Sequence, residues 1–239
     1  MLAGLAAWTA VSALLGDQRR FFPWPWEVLA QLATNVVTSE CWQDVLETLA
    51  RTILAFAVGT VVGAPVGILL GCRRTWYEVA RVPIDFMRSV PVPALFPVAM
   101  LFFGIGDTAK VVSVAVGCGL IVLVASAGAV QNTPEIHNFV AQMLRLSRRA
   151  TFWKVRLPAA LPEIANGLRV AISITLILVV VLEMIVGSSR GLGLRLYNDQ
   201  QIFRIKDMYA TLLLIGAIGY LANVGLAALQ EKLVHWTGK

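Results

Sequence analysis

Glu183 stands apart among the residues able to do chemistry, as the only acid deep within an apolar run, LILVVVLEMIVG. An ionisable side chain in such a setting is a candidate functional group and turns toward protein rather than lipid. The alternative is a structural pairing with a backbone group, with Arg169 or with Arg51. Arg51 and Arg169 themselves read as snorkelling or loop-anchoring residues near helix ends. His137 and His235 are far apart, and Cys41, Cys72 and Cys118 are scattered, so neither a metal site nor a disulfide framework follows. The sequence contains no G-x-x-x-x-G-K-[ST] phosphate loop and no visible nucleophile–base arrangement. The chain therefore reads as no enzyme, with no metal or cofactor of its own.

What must position these residues is a membrane domain. Of 239 residues, 58% are hydrophobic and 14% charged, whereas soluble domains carry about 25% charged residues. Apolar stretches recur that approach or reach the ~20 residues needed to cross a ~30 Å hydrocarbon layer. We read six transmembrane helices in one all-α domain, residues 1–239 with a core at 45–235. The runs are 1–16, Thr52–Gly71, Pro93–Phe103, Val111–Val130, Pro162–Gly187 and Met208–Leu229. The first rises only ~24 Å, so it is tilted, extended upstream or partly interfacial. The FFPWPW stretch that follows has the residue types of a membrane–water boundary.

Gly59, Gly63, Gly67 and Gly71 fall every fourth residue and form one ridge of their helix, suited to close backbone approach. Packing within the bundle is the simpler reading of that ridge, a dimer seam the alternative, and Pro65 should kink the helix. A basic connection from Arg73 to Arg88 leads to SVPVPALFP, where Pro91 and Pro93 forbid a regular helix start before Ala94.

Six spans put both termini on one side. The loops after the second and fourth spans share that side and carry Arg73, Arg74, Arg81, Arg88, Arg145, Arg148, Arg149, Lys154 and Arg156. The positive-inside rule makes that side cytoplasmic and puts residues 188–207 opposite. The net charge of +6 thus reflects topology and anionic lipid rather than nucleic acid.

The connection 133–158 is long for a compact bundle, and such connections are usually structured and used. Thr133-Pro134-Glu135 has the features of a helix start: a capping hydroxyl, proline at the first position and an early acid. Ser147 offers a second cap, so two short helices with a turn between them are expected.

From here the sequence resembles a known family. VAQMLRLSRRATFWKVRLPAALPEIANGLRVAI is similar to the cytoplasmic coupling loop, the EAA loop, of permease subunits of binding-protein-dependent ABC importers. Ala141, Leu144, Ser147, Arg148, Phe152, Leu157 and Pro158 match the pattern; Phe139 stands where the family has an acid and Arg145 where it has the turn glycine. GILLG, LEMIVGSSRGLG and YATLLLIGAIGYLAN extend the likeness from Val45 onward. It is strongest to the subgroup importing sulfonates, taurine, nitrate or bicarbonate.

The resemblance implies the type I ABC importer permease fold, embedded in a bacterial inner membrane. It implies a second permease subunit in a homodimer, two ATP-binding cassette subunits that hold ATP and Mg, and an extracytoplasmic substrate-binding protein. It makes Leu144 to Phe152, with Arg145 and Leu146, the piece that enters the ATPase groove, and it places Glu183 and Met184 near the translocation path or gate. Toward an anionic solute the Glu183 carboxylate repels, which favours a structural or gating role over that of a ligand. A secondary carrier or channel is the competing class; it would usually show several buried carboxylates or internal repeats, and the sequence has one such acid and no repeat.

Overall fold

A computed structural model describes residues 2–14, 20–186 and 189–233. Gly187 and His235, named above, lie outside the described residues. The apolar runs become helices because only a helix satisfies every backbone group within its own segment in hydrocarbon. In chain order they are α1 (Leu2–Leu14), α2 (Pro25–Val36), α3 (Ser39–Gly71), α4 (Arg74–Ser89), α5 (Val92–Phe103) and α6 (Asp107–Gln131). There follow α7 (Glu135–Met143), α8 (Arg148–Thr151), a π-helical turn (Phe152–Arg156), α9 (Leu157–Val186), α10 (Leu192–Gln201) and α11 (Ile205–Leu233). Each of the six expected spans falls on one of these helices. Among the described residues four are long and apolar enough to cross a membrane, a bent α4–α5 pair can form a fifth crossing, and α1 is shorter.

Several boundaries differ from the sequence expectation: α6, α9 and α11 start three to five residues early, at Asp107, Leu157 and Ile205, and three further differences have a local reason. α3 starts at Ser39, well ahead of Thr52, because Cys41, Val45, Thr48 and Ala55 recur on one buried stripe that continues the apolar run. α5 starts at Val92, ahead of Pro93, since proline is tolerated in a helix's first turn where its missing N–H bonds nothing. The basic connection after α3 is the 16-residue helix α4 rather than irregular chain.

The chain divides into two compact units. The first comprises residues 1–50 and 179–220. Its N-terminal part is ordered by aromatic residues: Trp8, Phe22 and Tyr209 pack ring to ring, with Phe22 edge-on to Tyr209 at 5.8 Å, and the Trp8 indole N–H donates to the Pro23 carbonyl at 3.0 Å. The second comprises residues 51–178 and 221–239. Its centre is the line where α3 meets α6. A Cβ on Gly59 or Gly71 would lie 2.8 Å from the Ala115 carbonyl oxygen or 2.7 Å from that of Ala127, and Gly63 and Gly67 sit closer still to Gly119 and Leu123. The four glycines thus let two backbones touch. Because 59, 63, 67 and 71 meet 115, 119, 123 and 127 in the same order, α3 and α6 run parallel. The segments that leave their C-terminal ends, α4 and the 132–157 connection, therefore emerge at the same end of this unit.

Candidate functional site

The 132–157 connection is built on that end. Ala129, Val130, Ala160 and Ile164 form a buried cluster against which Ile68, Cys72 and Leu157 pack, so both ends of the connection are held on the α3–α6 pair. α7 begins one residue later than the spacing of Thr133-Pro134-Glu135 suggests: Pro134 occupies the capping position, and the Thr133 hydroxyl donates back to the Ala129 carbonyl at 3.2 Å. Glu135 remains in the first turn, near the positive end of the helix dipole.

The end of α7 is a Schellman turn. The Leu146 N–H donates to the Ala141 carbonyl at 3.0 Å and the Arg145 N–H to the Gln142 carbonyl at 2.9 Å. This geometry needs a left-handed residue in the middle, and Arg145 supplies it at φ 51°. The arginine standing at the family's glycine position therefore keeps the turn. Ala141 is buried and Leu146 half-buried beneath the turn, so both hold its shape. Ser147 caps α8, its hydroxyl accepting the Ala150 N–H at 3.3 Å. Phe152 packs edge-on to Trp153 at 5.2 Å. Pro158 is half-buried, and the Leu157 N–H reaches back to the Phe152 carbonyl, closing the π turn just before the proline.

What the turn presents is apolar. Ile136, Phe139, Val140, Met143 and Leu144 recur at i, i+3, i+4, i+7 and i+8 and all are exposed, Met143 to 83%. Arg145, Arg148 and Arg149, also exposed, rim the ridge with positive charge. An exposed apolar stripe on a basic-rimmed short helix suits a groove with an acidic margin. Phe139, a departure from the family's acid, belongs to this ridge.

Glu183 and Met184 belong to the other unit. Glu183 is fully buried and Met184 half-buried. The Thr48 hydroxyl donates to the Glu183 carboxylate, 2.9 Å from Oε2 and 3.1 Å from Oε1, and the Gly193 N–H donates to Oε2 at 2.9 Å. Thr48 in turn accepts the Leu192 N–H at 2.9 Å, and Asp44 accepts that of Gly191 at 3.1 Å. The two acids and Thr48 thus satisfy the first N–H groups of α10, where the helix dipole favours negative charge. Space at the cap is tight: a Cβ on Gly191 would fall 2.6 Å from the Glu183 carboxylate. Beside it lies a polar cleft of ≈ 410 Å³ lined in part by Asp44, Arg195, Asp199 and Arg204.

The other singled-out cations are anchored within the second unit. Arg51, almost wholly buried, makes a forked contact with Asp107 at the start of α6, Nε–Oδ1 2.9 Å and Nη2–Oδ2 3.2 Å. Arg169 donates to Asn223 Oδ1 at 3.0 Å. Among the described residues no group of His, Cys, Asp and Glu side chains has metal-ligand geometry. The cap built from Asp44 and Thr48 escaped the sequence reading, because both precede the apolar run and nothing local ties them to residues 191–193.

Comparison with known proteins fits this geometry. The model of the family described as binding-protein-dependent transport system inner membrane component matches residues 63–239. The taurine transport system permease protein TauC of Escherichia coli K12 is 31% identical over 240 residues, covering 98% of this chain and 87% of that protein. The bicarbonate transport system permease protein CmpB of Synechococcus elongatus is 30% identical, covering 81% of this chain and 69% of that protein. The putative aliphatic sulfonates transport permease protein SsuC of Bacillus subtilis is 25% identical, covering 97% and 84%. Among solved structures, a chain of the MetNI methionine ABC transporter in inward-facing conformations superimposes with a TM-score of 0.71 at 23% identity, over 80% of this chain and 94% of that one. The fold is the all-α permease fold of type I ABC importers.

Proposed function

We propose that this chain, which belongs to the family of binding-protein-dependent transport system inner membrane components, lines the translocation path for a small hydrophilic anion and couples it to a separate ATPase. The observation that carries the coupling is the apolar ridge of α7, which stays exposed next to a turn whose own hydrogen bonds are complete. Such a ridge has no use inside this chain. It suits a groove on a nucleotide-binding partner, where ATP and Mg would be bound and hydrolysed. Closure of two such partners would then move two permease copies as rigid bodies between inward-facing and outward-facing states. The names of the taurine, bicarbonate and sulfonate relatives support an anionic substrate, delivered by an extracytoplasmic binding protein. Basic residues at the end that carries α4 and α7 support a cytoplasmic placement of that end and of both termini.

The test replaces Met143 or Leu144 with aspartate in the assembled transporter. Both side chains are exposed, so the permease should insert and melt as before. An unpaired charge in a partner's groove costs several kcal/mol (about 3–5). The ATPase subunit should therefore detach, or substrate-stimulated hydrolysis should fall at least tenfold. Leu146→Asp is a less selective probe, because Leu146 is half-buried under the turn and its loss would disturb the loop itself. Normal transport by both exposed-site variants would remove α7 as the coupling element.

A further inference from the structure

α4 is charged along one edge and apolar along the opposite one. Arg74, Glu78, Arg81, Asp85 and Arg88 recur every three or four residues and share the first edge. Val79, Val82 and Phe86 stand exposed on the second. Ile84 is the one buried residue of the helix, which packs on α6.

The depth of the charged edge follows from what α4 and α5 touch. α4 begins just after Gly71, whose backbone lies against Ala127. At its far end a Cβ on Gly117 would strike the Val92 side chain, so the bend between α4 and α5 sits halfway along α6. α5 then packs along α6 and stops just short of Asp107, where α6 starts. The pair is therefore a broken crossing that enters at one end of α6 and leaves at the other. The 16 residues of α4 rise ~24 Å, while the α6 stretch from Ala127 back to Gly117 drops ~15 Å. α4 thus slants through that half of the span. Arg74 stays near the end, Asp85 and Arg88 reach the middle, and Arg81 lies between.

Hydrocarbon does not accept charged side chains at such a depth. These three are not withdrawn into protein either: Arg81 is 61% exposed, Asp85 54% and Arg88 49%. Nor do they neutralise one another. Asp85 meets each arginine through one oxygen at 3.6 Å, longer than a good hydrogen bond. Two cations less one anion leave the edge at +1. What it needs at mid-depth is water, and what its surplus charge favours in that water is an anion. A guanidinium fork matches two oxygens of one anionic group.

We propose that the Arg81–Asp85–Arg88 edge of α4 is a wall of the aqueous path, and that Arg81 and Arg88 contact the anion in transit while Asp85 holds them in place. This rests on the reading of the chain as a path for a small hydrophilic anion, and it names the side chains that select for its charge. The Val79–Val82–Phe86 face of the same helix needs no water at this depth.

The test uses the assembled transporter in vesicles, with Cys41, Cys72 and Cys118 of this chain replaced by alanine. Single cysteines are placed beside the charged edge, Glu78→Cys or Ser89→Cys, and on the apolar face, Val79→Cys or Phe86→Cys. The probes are the 2-sulfonatoethyl and 2-trimethylammonioethyl methanethiosulfonates, the first of which is itself a small alkylsulfonate. Both should react at 78 and 89 at least tenfold faster than at 79 and 86. Against the ratio for a free thiol in solution, position 89 should favour the sulfonate probe severalfold. Changing Arg81 and Arg88 to glutamine should erase that preference, and Arg88→Lys should keep it. Silence at 78 and 89 toward both probes would overturn the proposal, because the edge would then be covered by protein such as a second copy. A preference that is absent, or that survives loss of both arginines, would overturn their assignment to the anion. None of these rates depends on hydrolysis. A reactive, anion-selective edge in a transporter whose ATPase ignores every substrate would sink the coupling reading and leave the path standing.

Discussion

The cap at Gly191–Gly193 and the turn at Leu144–Leu146 both rely on a residue of positive φ, and they use it for opposite ends. At Gly191, φ 139° and ψ 159° lie where a side chain is not accommodated, and the Glu183 carboxylate fills the space a Cβ would need. At Arg145, φ 51° is an ordinary left-handed value, and the side chain points away into an exposed setting beside Met143 and Leu144. The cap satisfies its polar groups internally. The turn also completes its backbone bonds, but it spends its side chains outward. Substitution at the cap should therefore be felt as lost stability, and substitution around the turn as lost partnership.

The largest effect expected from this contrast is at Glu183. Changing it to alanine strands the Gly193 N–H and the Thr48 hydroxyl in a buried place, at about 1–3 kcal/mol for each group left unsatisfied. Thermal unfolding in detergent should fall clearly, and Glu183→Gln, which still accepts one of these bonds, should recover part of the loss. Gly191→Ala should cost about 1–3 kcal/mol through backbone strain alone. A Glu183→Ala protein with unchanged melting but lost transport would break the contrast, since the residue would then be a gate and not a cap.

A smaller effect is expected at Asp199, near the end of α10. Its Oδ2 is buried without a hydrogen-bond partner. Burial foremost, with Asp207 and Asp44 adding to it, holds its carboxyl above the usual range against the pull of Arg195 and Arg204. The folded chain thus keeps this proton to higher pH than the unfolded chain does. The associated stability is present below the ordinary carboxylate pKa and is lost as pH rises through the elevated one. Asp199→Asn should remove that slope, so that the melting difference between variant and wild type grows in the variant's favour from pH 4 to pH 7. A parallel pair of pH profiles would show that Asp199 finds a partner once the protein is in its membrane.

The same contrast explains what was legible in the sequence. The α7 region could be read in part because some of its signals are local, with Thr133-Pro134-Glu135 at the start of one helix and Ser147 capping the next; the left-handed residue at Arg145 was legible only through the resemblance that puts a glycine there. The glycine line of α3 was legible because its signal is local too, a spacing of four on one helix. The Glu183 cap was not, because Thr48 lies far from it in the chain and polar pairing across such separations leaves no periodic trace. Glu183 drew attention only as a charge in an apolar run. α4 was misread as a basic connection because the charges dominate its composition. The alternation of Trp76, Val79, Val82 and Phe86 with those charges at helical spacing was the signal available. α3 was started too late because Cys41, Val45 and Thr48 are a stripe among polar residues, outside any uninterrupted apolar run.

Arg145 gives the smallest effect on stability and the sharpest test of the outward-facing half of the contrast. Replacing it with glycine removes a left-handed strain of about 1 kcal/mol for a residue with a Cβ. It also frees the unfolded chain, which offsets about 0.4–1 kcal/mol of that gain. The net change in stability should be within about 0.5 kcal/mol, too little to move the fold. The Schellman bonds to Ala141 and Gln142 come from the backbone and survive the change. Any functional loss must then come from the guanidinium itself. If Arg145 serves only the turn, the glycine variant in the assembled transporter should hydrolyse ATP in response to substrate at the wild-type rate or above. We expect that result, because the side chain is exposed and the turn already has the geometry glycine would adopt. Arg145→Ala separates the remaining possibility, since it keeps the strain and removes the charge. Were both variants to lose coupling with the fold intact, Arg145 would be a contact to an acid on the ATPase, and the rim as well as the ridge of α7 would belong to the interface.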